Sequence, residues 1–159
     1  MRGSATLEDI DKYLRAIWLE CCGHLSRFSY DGWQSDELDM DCDADLGFEP
    51  GMVLCHQYDF GTTSETDIKV LGVSQGKPVN KYPLSLLARN QMRDVTCHEC
   101  YRKASWLCME CSDRIGELVY LCDEHAKESH QHEEEGPLEL VNSPRLGMCG
   151  YTGPAESPY

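Results

Sequence analysis

Cysteine and histidine residues recur in closely spaced pairs between Cys97 and His132, a stretch that reads CHECYRKASWLCMECSDRIGELVYLCDEHAKESHQH. Two residues separate the partners in the first three pairs, and one residue separates them in the fourth. The pairs are Cys97 and Cys100, Cys108 and Cys111, Cys122 and His125, and His130 and His132. A two-residue spacing lets a tight turn aim both side chains at one ion, and thiolates and imidazoles are ligands that zinc prefers. Eight such ligands fill two tetrahedral sites with no position left open, so the stretch predicts two structural zinc ions.

These eight ligands can be shared in three ways. Adjacent pairing would place the first and second pairs on one ion, as in a zinc ribbon. Cross-brace pairing would place the first and third pairs on one ion and the second and fourth pairs on the other. In the third arrangement a single ion is held by cysteines of the first two pairs with Cys122 or His125. The spacing alone leaves all three open, and His98, inside the first pair, is expected to point away from the ion.

The other cysteines give weaker signals. Disulfides are disfavoured because paired C-x-x-C motifs followed by histidines are typical of metal sites. The N-terminus shows neither the basic nor the apolar segment of a secretory signal, so we expect a reducing, cytoplasmic environment. Cys21 and Cys22 have no neighbouring pair and are interpreted as buried apolar residues. Cys149 lacks a second ligand at a suitable spacing and is not expected to bind metal.

The order of the pairs and the closing histidines resemble a B-box, a small cross-brace zinc module. The resemblance covers only residues 97–132 and implies contacts with other proteins. One departure is the spacer SDRIGELVYL between the second and third pairs, which is longer than a B-box would have. Within it, residues 117–121 predict a short strand that leads into Cys122.

An amphipathic helix is predicted near the N-terminus. Thr6 and Asp9 have a spacing close to that of a capping box, with Thr6 as the N-cap, and Gly23 is expected to end the helix. Apolar residues follow at helical spacing and form one stripe. They are Leu7, Ile10, Leu14, Ile17, Trp18 and Cys21.

A β-hairpin is predicted after the helix. Residues 52–60 form the clearest strand, because Leu54, His56, Tyr58 and Phe60 would share one face. A turn at residues 61–63 and a returning strand at residues 66–71 complete the hairpin, and a weaker strand is predicted at residues 24–30. These elements predict an α+β fold, with a small mixed sheet, an N-terminal helix and a hairpin.

The motif Tyr58-Asp59-Phe60-Gly61 follows a helix reading TLEDIDKYLRAIW and a segment reading HLSRF. These pieces, in this order between Thr6 and Leu71, resemble the plasmid open-reading-frame-three-like family, first named from a root-inducing plasmid. The resemblance implies a compact α+β domain and no established activity; some relatives are labelled as mobile-element passenger proteins. Members look as though they begin with a strand before the helix, where this chain offers only residues 1–4, so a truncated start is expected. The zinc stretch is not a general feature of the family.

Apolar residues flank the metal stretch on both sides. Leu84, Leu86 and Leu87 precede it, and residues 138–141 after it predict a last strand. Neither flank is a flexible Gly/Ser linker, so we expect the stretch to be an insertion that packs on the main domain. The predicted domains are residues 1–94 together with 134–159, forming the α+β domain, and residues 95–133, forming the zinc-binding module.

The balance of charge limits the partners. The 159 residues include 28 acidic and 14 basic side chains, for a formal net charge of −14. This balance disfavours generic nucleic acid and anionic membranes, and no apolar run approaches the ~20 residues of a membrane span. Alternating aspartates at positions 39–45 invite a calcium interpretation, but the glycine and glutamate positions of an EF-hand loop hold other residues. A solvated, mobile acidic loop is therefore predicted for residues 31–50.

Three function classes remain after these observations. The favoured hypothesis is a non-enzymatic zinc-binding protein that contacts other proteins, because closed zinc sites have structural roles. The second is a nucleic-acid-associated protein linked to mobile elements, for which a basic stripe is missing. The third is a hydrolase-type enzyme using His56, Asp59 and Glu65 as acid/base groups. No nucleophile, phosphate loop or open metal site supports this enzyme, so no catalytic residue is assigned.

Overall fold

The computed structural model describes residues 1–18, 20, 23–130, 132, 136–143 and 155–159. The chain divides into two compact units, Met1–Ala88 with Ala155–Tyr159, and Arg89–Pro154. Each unit has its own small antiparallel sheet with helices, which confirms the predicted α+β class. Among the described residues, no helix is both long and apolar enough to cross a membrane. Cys21, Cys22 and Cys149 lie outside the described residues.

The first unit contains a three-stranded sheet. Its elements are α1 (Leu7–Trp18), β1 (Ser26–Ser29), a 3-10 helix (Gly32–Gln34), α2 (Ala44–Gly47), β2 (Val53–Tyr58) and β3 (Ser64–Lys69). Strand β2 pairs antiparallel with β1 and with β3. The pairing is antiparallel throughout this sheet, and the predicted hairpin is β2–β3.

Helix α1 begins with the predicted capping box. The backbone N–H of Asp9 donates to Oγ1 of Thr6 at 3.2 Å, and the backbone N–H of Thr6 donates to Oδ2 of Asp9 at 3.1 Å. The apolar stripe of the helix is buried with Phe28 and Leu54 from the sheet. The helix ends at Trp18, earlier than the predicted end at Gly23.

Alternation along β2 sets the two faces of the first sheet. Leu54, His56 and Tyr58 are almost fully buried and form the face towards the core. Phe60, predicted on that face, lies beyond the end of β2 and is 43% exposed. It falls in the hairpin turn, where the alternation of a strand no longer fixes the direction of the side chain.

Two segments of the first unit differ from their predicted form. The acidic residues 31–50 include the 3-10 helix and α2, and Leu38, Met40 and Phe48 pack against the core, which anchors the segment. Residues 84–87, an apolar segment before the metal stretch, form neither a strand nor a helix. Leu84 packs against the core, but Leu87 is 96% exposed.

The second unit is built around β4. Its elements are β4 (Trp106–Cys108), α3 (Met109–Ile115), β5 (Val119–Leu121), α4 (Asp123–Glu128) and β6 (Leu138–Glu139). Strand β4 lies between β5 and β6 and pairs antiparallel with both. The strand predicted before Cys122 is β5.

The last strand lies in a different sheet from the predicted one. Residues 138–141 were expected in the α+β domain with residues 1–94, but β6 pairs with β4, and the backbone N–H of Leu140 donates to the carbonyl of Ser105. Strand partners are chosen by long-range packing, which the apolar pattern of four residues does not encode. The second unit therefore extends beyond residues 95–133 on both sides.

Candidate metal centres

Eight cysteine and histidine side chains of the second unit form two groups of four. The first group is Cys97, Cys100, Cys122 and His125, and the second group is Cys108, Cys111, His130 and His132. Within each group, one ligand atom from every residue lies within 4.8 Å of the other three, so each group could hold a metal ion. This grouping is the cross-brace arrangement, and it excludes the adjacent pairing.

The first group is assembled by a turn and by the start of a helix. The turn is closed by the backbone N–H of Cys97, which donates to the carbonyl of Arg102 at 2.6 Å, and by that of Tyr101, which donates to the carbonyl of Cys97 at 3.0 Å. Cys122 follows β5 directly, and His125 lies in the first turn of α4. His98 is exposed and belongs to neither group, as predicted.

The second group is built on α3 and the residues after α4. Cys108 ends β4 and caps α3, since its Sγ accepts a hydrogen bond from the backbone N–H of Cys111 at 3.4 Å. Ser112 fixes the helix because its hydroxyl donates to the carbonyl of Cys108 and accepts from the backbone N–H of Val119. Gly116 ends α3 with a φ of +76°, a left-handed conformation that glycine adopts without strain.

Several pairs of ligand atoms within each group lie 3.2 to 3.8 Å apart. In the first group, Nδ1 of His125 lies 3.3 Å from Sγ of Cys97, and the Sγ atoms of Cys100 and Cys122 are 3.8 Å apart. In the second group, the distances from Sγ atoms to Nδ1 of His130 and Nε2 of His132 range from 3.2 to 3.4 Å. Each group therefore encloses one point that a single ion could share among four ligands.

Both groups also form part of the core of the second unit. Cys97, Cys108 and Cys122 are buried and pack with Val119 and Leu121. Trp106 is partly buried and packs against the same cluster. None of the seven described cysteines forms a disulfide. Several metal-ligand candidates are thus part of the apolar core of this unit.

Hydrogen bonds favour the thiolate form in the first group. Burial alone would raise the pKa of the Cys97 thiol, but hydrogen bonds from His125 and from the backbone of Cys122, Glu99 and Cys100 lower it to about 6. The side chain of Arg102 lowers the pKa of the Cys100 thiol. In the second group, burial raises the pKa of the Cys108 thiol. Deprotonated sulfur is the form that binds metal.

Charged side chains surround the groups from outside. Nε of Arg102 donates to Sγ of Cys100 at 3.2 Å, and its Nη2 pairs with Glu124. A carboxylate lies near each histidine of the second group: Glu110 is 3.3 Å from Nδ1 of His132, and Glu99 is 3.7 Å from Nε2 of His130. Groups in this position orient metal ligands and tune their charge. Arg102 was not among the predicted site residues, although its place two residues after Cys100 was a local signal.

The residues considered for acid/base catalysis are not brought together. The side chain of His56 faces the core and forms a hydrogen bond with Asp11. Glu65 instead accepts a hydrogen bond from Gln57, its partner across the strands, on the opposite face of the sheet. Asp59 accepts a hydrogen bond from the backbone N–H of Gly61 and shapes the hairpin turn. The aspartates at positions 39–45 belong to neither metal-ligand group.

Comparisons with protein-family models, with curated proteins and with solved structures found no match to this chain. The likenesses to the plasmid open-reading-frame-three-like family and to the B-box therefore rest on the sequence motifs quoted for them.

Proposed function

We propose that this chain is a non-enzymatic, zinc-binding protein whose second unit is a protein-interaction module held together by two zinc ions. The observation that carries the proposal is the cross-brace arrangement of two closed sets of four ligands. The first set has three cysteines and one histidine, and the second has two of each. Donor sets of this kind are typical of structural zinc, because no position remains for substrate or water.

Bond lengths of zinc support this assignment. Tetrahedral bonds of about 2.3 Å to sulfur and about 2.1 Å to nitrogen place two thiolates about 3.8 Å apart and a thiolate and an imidazole about 3.6 Å apart. The corresponding separations are 3.8 Å between Cys100 and Cys122 and 3.7 Å between Cys122 and His125. The other sulfur–nitrogen separations, 3.2 to 3.4 Å, are slightly shorter, so small side-chain adjustments would bring the eight ligands to two zinc ions.

A protein partner fits the outer surface of the second unit. Ile115 and Leu118 flank the turn at Gly116 and are 51% and 41% exposed, and Tyr101 is 81% exposed. Exposed apolar and aromatic side chains on a rigid module are what protein contacts use. The net charge of −14 opposes phosphate backbones, which favours a protein over generic nucleic acid, and thiolate ligands fit a reducing, cytoplasmic setting.

A family assignment for the first unit is part of the proposal. The motif Tyr58-Asp59-Phe60-Gly61 forms the turn of the β2–β3 hairpin, after the capped helix and β1, in the order that the plasmid open-reading-frame-three-like resemblance implies. This order supports membership of that family, with the second unit as a B-box-like addition.

Elemental analysis of protein purified without added metal tests the zinc proposal. We expect about two zinc ions per chain, about one in Cys108→Ala, and about two in the control Cys55→Ala, which removes a free cysteine of the first unit. Co-purified proteins from cells expressing each variant then test the interaction. A zinc content near zero would end the proposal, and partners retained equally by Cys108→Ala would remove the role of the module in binding.

A further inference from the structure

Residues 155–159 belong to the first unit, where the ring of Tyr159 lies against two other tyrosine rings. It stacks with Tyr13 of α1, with centroids 6.3 Å apart and planes at 24°, and with Tyr82, with centroids 5.7 Å apart and planes at 17°. Tyr13, Tyr82 and Asp9, which contacts the hydroxyl of the same ring, constitute the tyrosine site. We propose that the tyrosine site docks a tyrosine-bearing peptide segment of a partner protein, and that residues 155–159 occupy it until such a segment displaces them.

Residues 155–159 meet the tyrosine site as a peptide ligand would. They form neither a helix nor a strand, and 150 positions separate Tyr159 from Asp9. Oγ of Ser157 accepts a hydrogen bond from the backbone N–H of Tyr159 at 3.4 Å. This turn spans Pro158, whose ring restricts the backbone, so the short segment presents its tyrosine in a preorganised form. A segment of another chain with the same few features meets the same requirements.

The tyrosine site is held in place by contacts within the rest of the first unit. Tyr13 belongs to the core cluster that α1 forms with the sheet. The backbone N–H of Tyr82 donates to Oδ1 of Asn80 at 3.0 Å. The carbonyl of the next residue, Pro83, accepts from the backbone N–H of Arg2 at 2.8 Å. Because these contacts do not involve Tyr159, we expect the site to persist when that ring leaves.

Asp9 gives the site a preference for a phenol. Its Oδ2 accepts the backbone N–H of Thr6 in the capping box, and its Oδ1 accepts from Oη of Tyr159 at 3.5 Å. Burial raises the pKa of Tyr159, and the charge of Asp9 adds to that rise, so the hydroxyl keeps the proton that it donates. A phenylalanine ring stacks in the same way but has no donor for this carboxylate. Tyrosine is therefore the side chain that the site recognises.

The contact is of a kind that exchanges readily. Tyr159 is 37% exposed and Tyr82 is 39% exposed, whereas Tyr13 is only 6% exposed. The separations of the ring centroids lie within the favourable range for aromatic pairs but not at its short end. Partly exposed segments outside regular structure are the parts of a fold that open at the lowest free energy. Residues 155–159 thus cover the site without being locked into the core.

The experiment uses the full chain labelled with ¹⁵N and an acetylated, amidated peptide, Ala-Glu-Ser-Pro-Tyr, that copies residues 155–159. With the variant Tyr159→Ala, we expect saturable shifts of the amide signals of Asp9 and Tyr82 and a dissociation constant of about 0.1 mM, because the peptide is small. A ligand on the same chain competes at an effective concentration on the order of 1 mM. The wild-type chain should therefore bind the peptide about tenfold more weakly than the variant.

Altered peptides and second substitutions locate the contact. On Tyr159→Ala, a peptide ending in phenylalanine should bind about threefold more weakly, and a peptide ending in alanine should cause no saturable shifts. Adding Tyr82→Ala should weaken binding of the tyrosine peptide about fivefold. The matched control Tyr30→Ala removes an exposed tyrosine elsewhere in the first unit and should leave binding within about twofold.

Several results would overturn the proposal. Equal affinity of the wild type and Tyr159→Ala for the peptide would show that residues 155–159 do not cover the site. A phenylalanine or alanine peptide that binds as tightly as the tyrosine peptide, or an unchanged affinity after Tyr82→Ala, would reject the recognition of tyrosine. A wild-type chain that sediments as a dimer, when Tyr159→Ala is a monomer, would assign the segment to a second copy and reject displacement by a partner.

This inference takes from the proposed function only that the partner is a protein. The zinc content of the same sample separates the two ideas, because the tyrosine site and the metal-ligand groups lie in different units. Two zinc ions with no response to the peptide would reject the tyrosine site and leave the proposed function intact. Peptide binding in a chain without zinc would support the tyrosine site and reject the metal assignment.

Discussion

Nε2 of His56 lies 2.8 Å from Oδ1 of Asp11, and this contact joins β2 to α1 inside the core of the first unit. The other carboxylate oxygen, Oδ2, accepts a hydrogen bond from Nε of Arg15 at 2.7 Å. Arg15 in turn lies over the ring of Tyr58, 4.6 Å from its centroid. A helical aspartate that is only 6% exposed is therefore compensated on both sides, as a buried charge requires.

The Asp11 contact predicts a dependence of stability on pH. Burial alone would raise the pKa of Asp11, but hydrogen bonds from His56, Ser26 and Arg15 lower it below the ordinary value of 3.8. The stabilisation is therefore fully present above pH 3.8 and is lost as the pH falls through the lower pKa of the folded state. Asp11→Asn should lower the free energy of unfolding by about 2 kcal/mol at pH 7, and by less at a pH where the wild type is protonated.

Urea unfolding followed by circular dichroism, at neutral pH and at successively lower pH, measures this difference. The matched control is Asp36→Asn, which changes an exposed aspartate of the same unit. If the loss in free energy of unfolding caused by Asp11→Asn stays constant down to acid pH, the ionised carboxylate is not what joins α1 to β2.

The capping box at Thr6 predicts a loss of helix stability on substitution. Thr6→Ala removes the oxygen that accepts the N–H of Asp9 and should cost about 1 kcal/mol. Thr62→Ala, in the exposed hairpin turn, serves as the control, since its hydroxyl has no such role. The midpoint of urea unfolding reports both variants. Equal midpoints for the two would mean that the cap does not limit the stability of α1.

Local signals explain why α1 and its cap were predictable. The apolar stripe and the capping pair are encoded within a few residues, so the sequence alone contains them. The burial of Asp11 was not foreseen, because its partner His56 is 45 positions away in the chain. His56 was correctly interpreted as a core residue, but the alternation of β2 says nothing about which polar group would meet it.

The metal-ligand groups were likewise predictable only in part, because they depend on both local and long-range information. Each pair is a local turn motif, which the spacing predicts well. Which two pairs bind the same ion depends on how β4, β5 and α4 pack, and three arrangements were compatible with the sequence. The partner of β6 was assigned to the wrong sheet for the same reason, because two to four apolar residues do not specify a distant strand.

Metal removal should unfold the sheet of the second unit. Cys97, Cys108 and Cys122 lie in its core with Val119 and Leu121, so losing the ions leaves thiols in place of bonded ligands. Zinc contributes on the order of 10 kcal/mol to small modules. Hydrogen exchange after chelation should therefore show loss of protection at the amides of Leu107, Tyr120 and Leu121, which lie in the paired strands.

Added zinc is the control for the exchange experiment, since it should restore protection at those amides. The amides of β2, in the first unit, are measured in the same spectra for comparison. Protection at β4 and β5 that survives complete removal of metal would show that the apolar residues alone hold this sheet.

Arg102 is predicted to control how firmly the first group holds its ion. Three thiolates and one neutral histidine give a zinc complex a net charge of −1, and the guanidinium of Arg102, 3.2 Å from Sγ of Cys100, compensates it. The second group has two thiolates and two histidines and carries no such excess. Arg102→Gln should therefore weaken zinc binding in the first group about tenfold, the lower range for a lost outer contact.

Competition with a coloured chelator, followed as zinc is released, measures this effect. Lys103→Gln is the matched control, because it removes a neighbouring positive charge that pairs with the exposed Asp94 and touches neither group. Arg102→Lys separates charge from geometry: a full rescue would assign the effect to charge, and a partial one to the fixed direction of the guanidinium N–H. If Arg102→Gln and Lys103→Gln release zinc at the same chelator concentration, the hydrogen bond to Cys100 has no part in holding the ion.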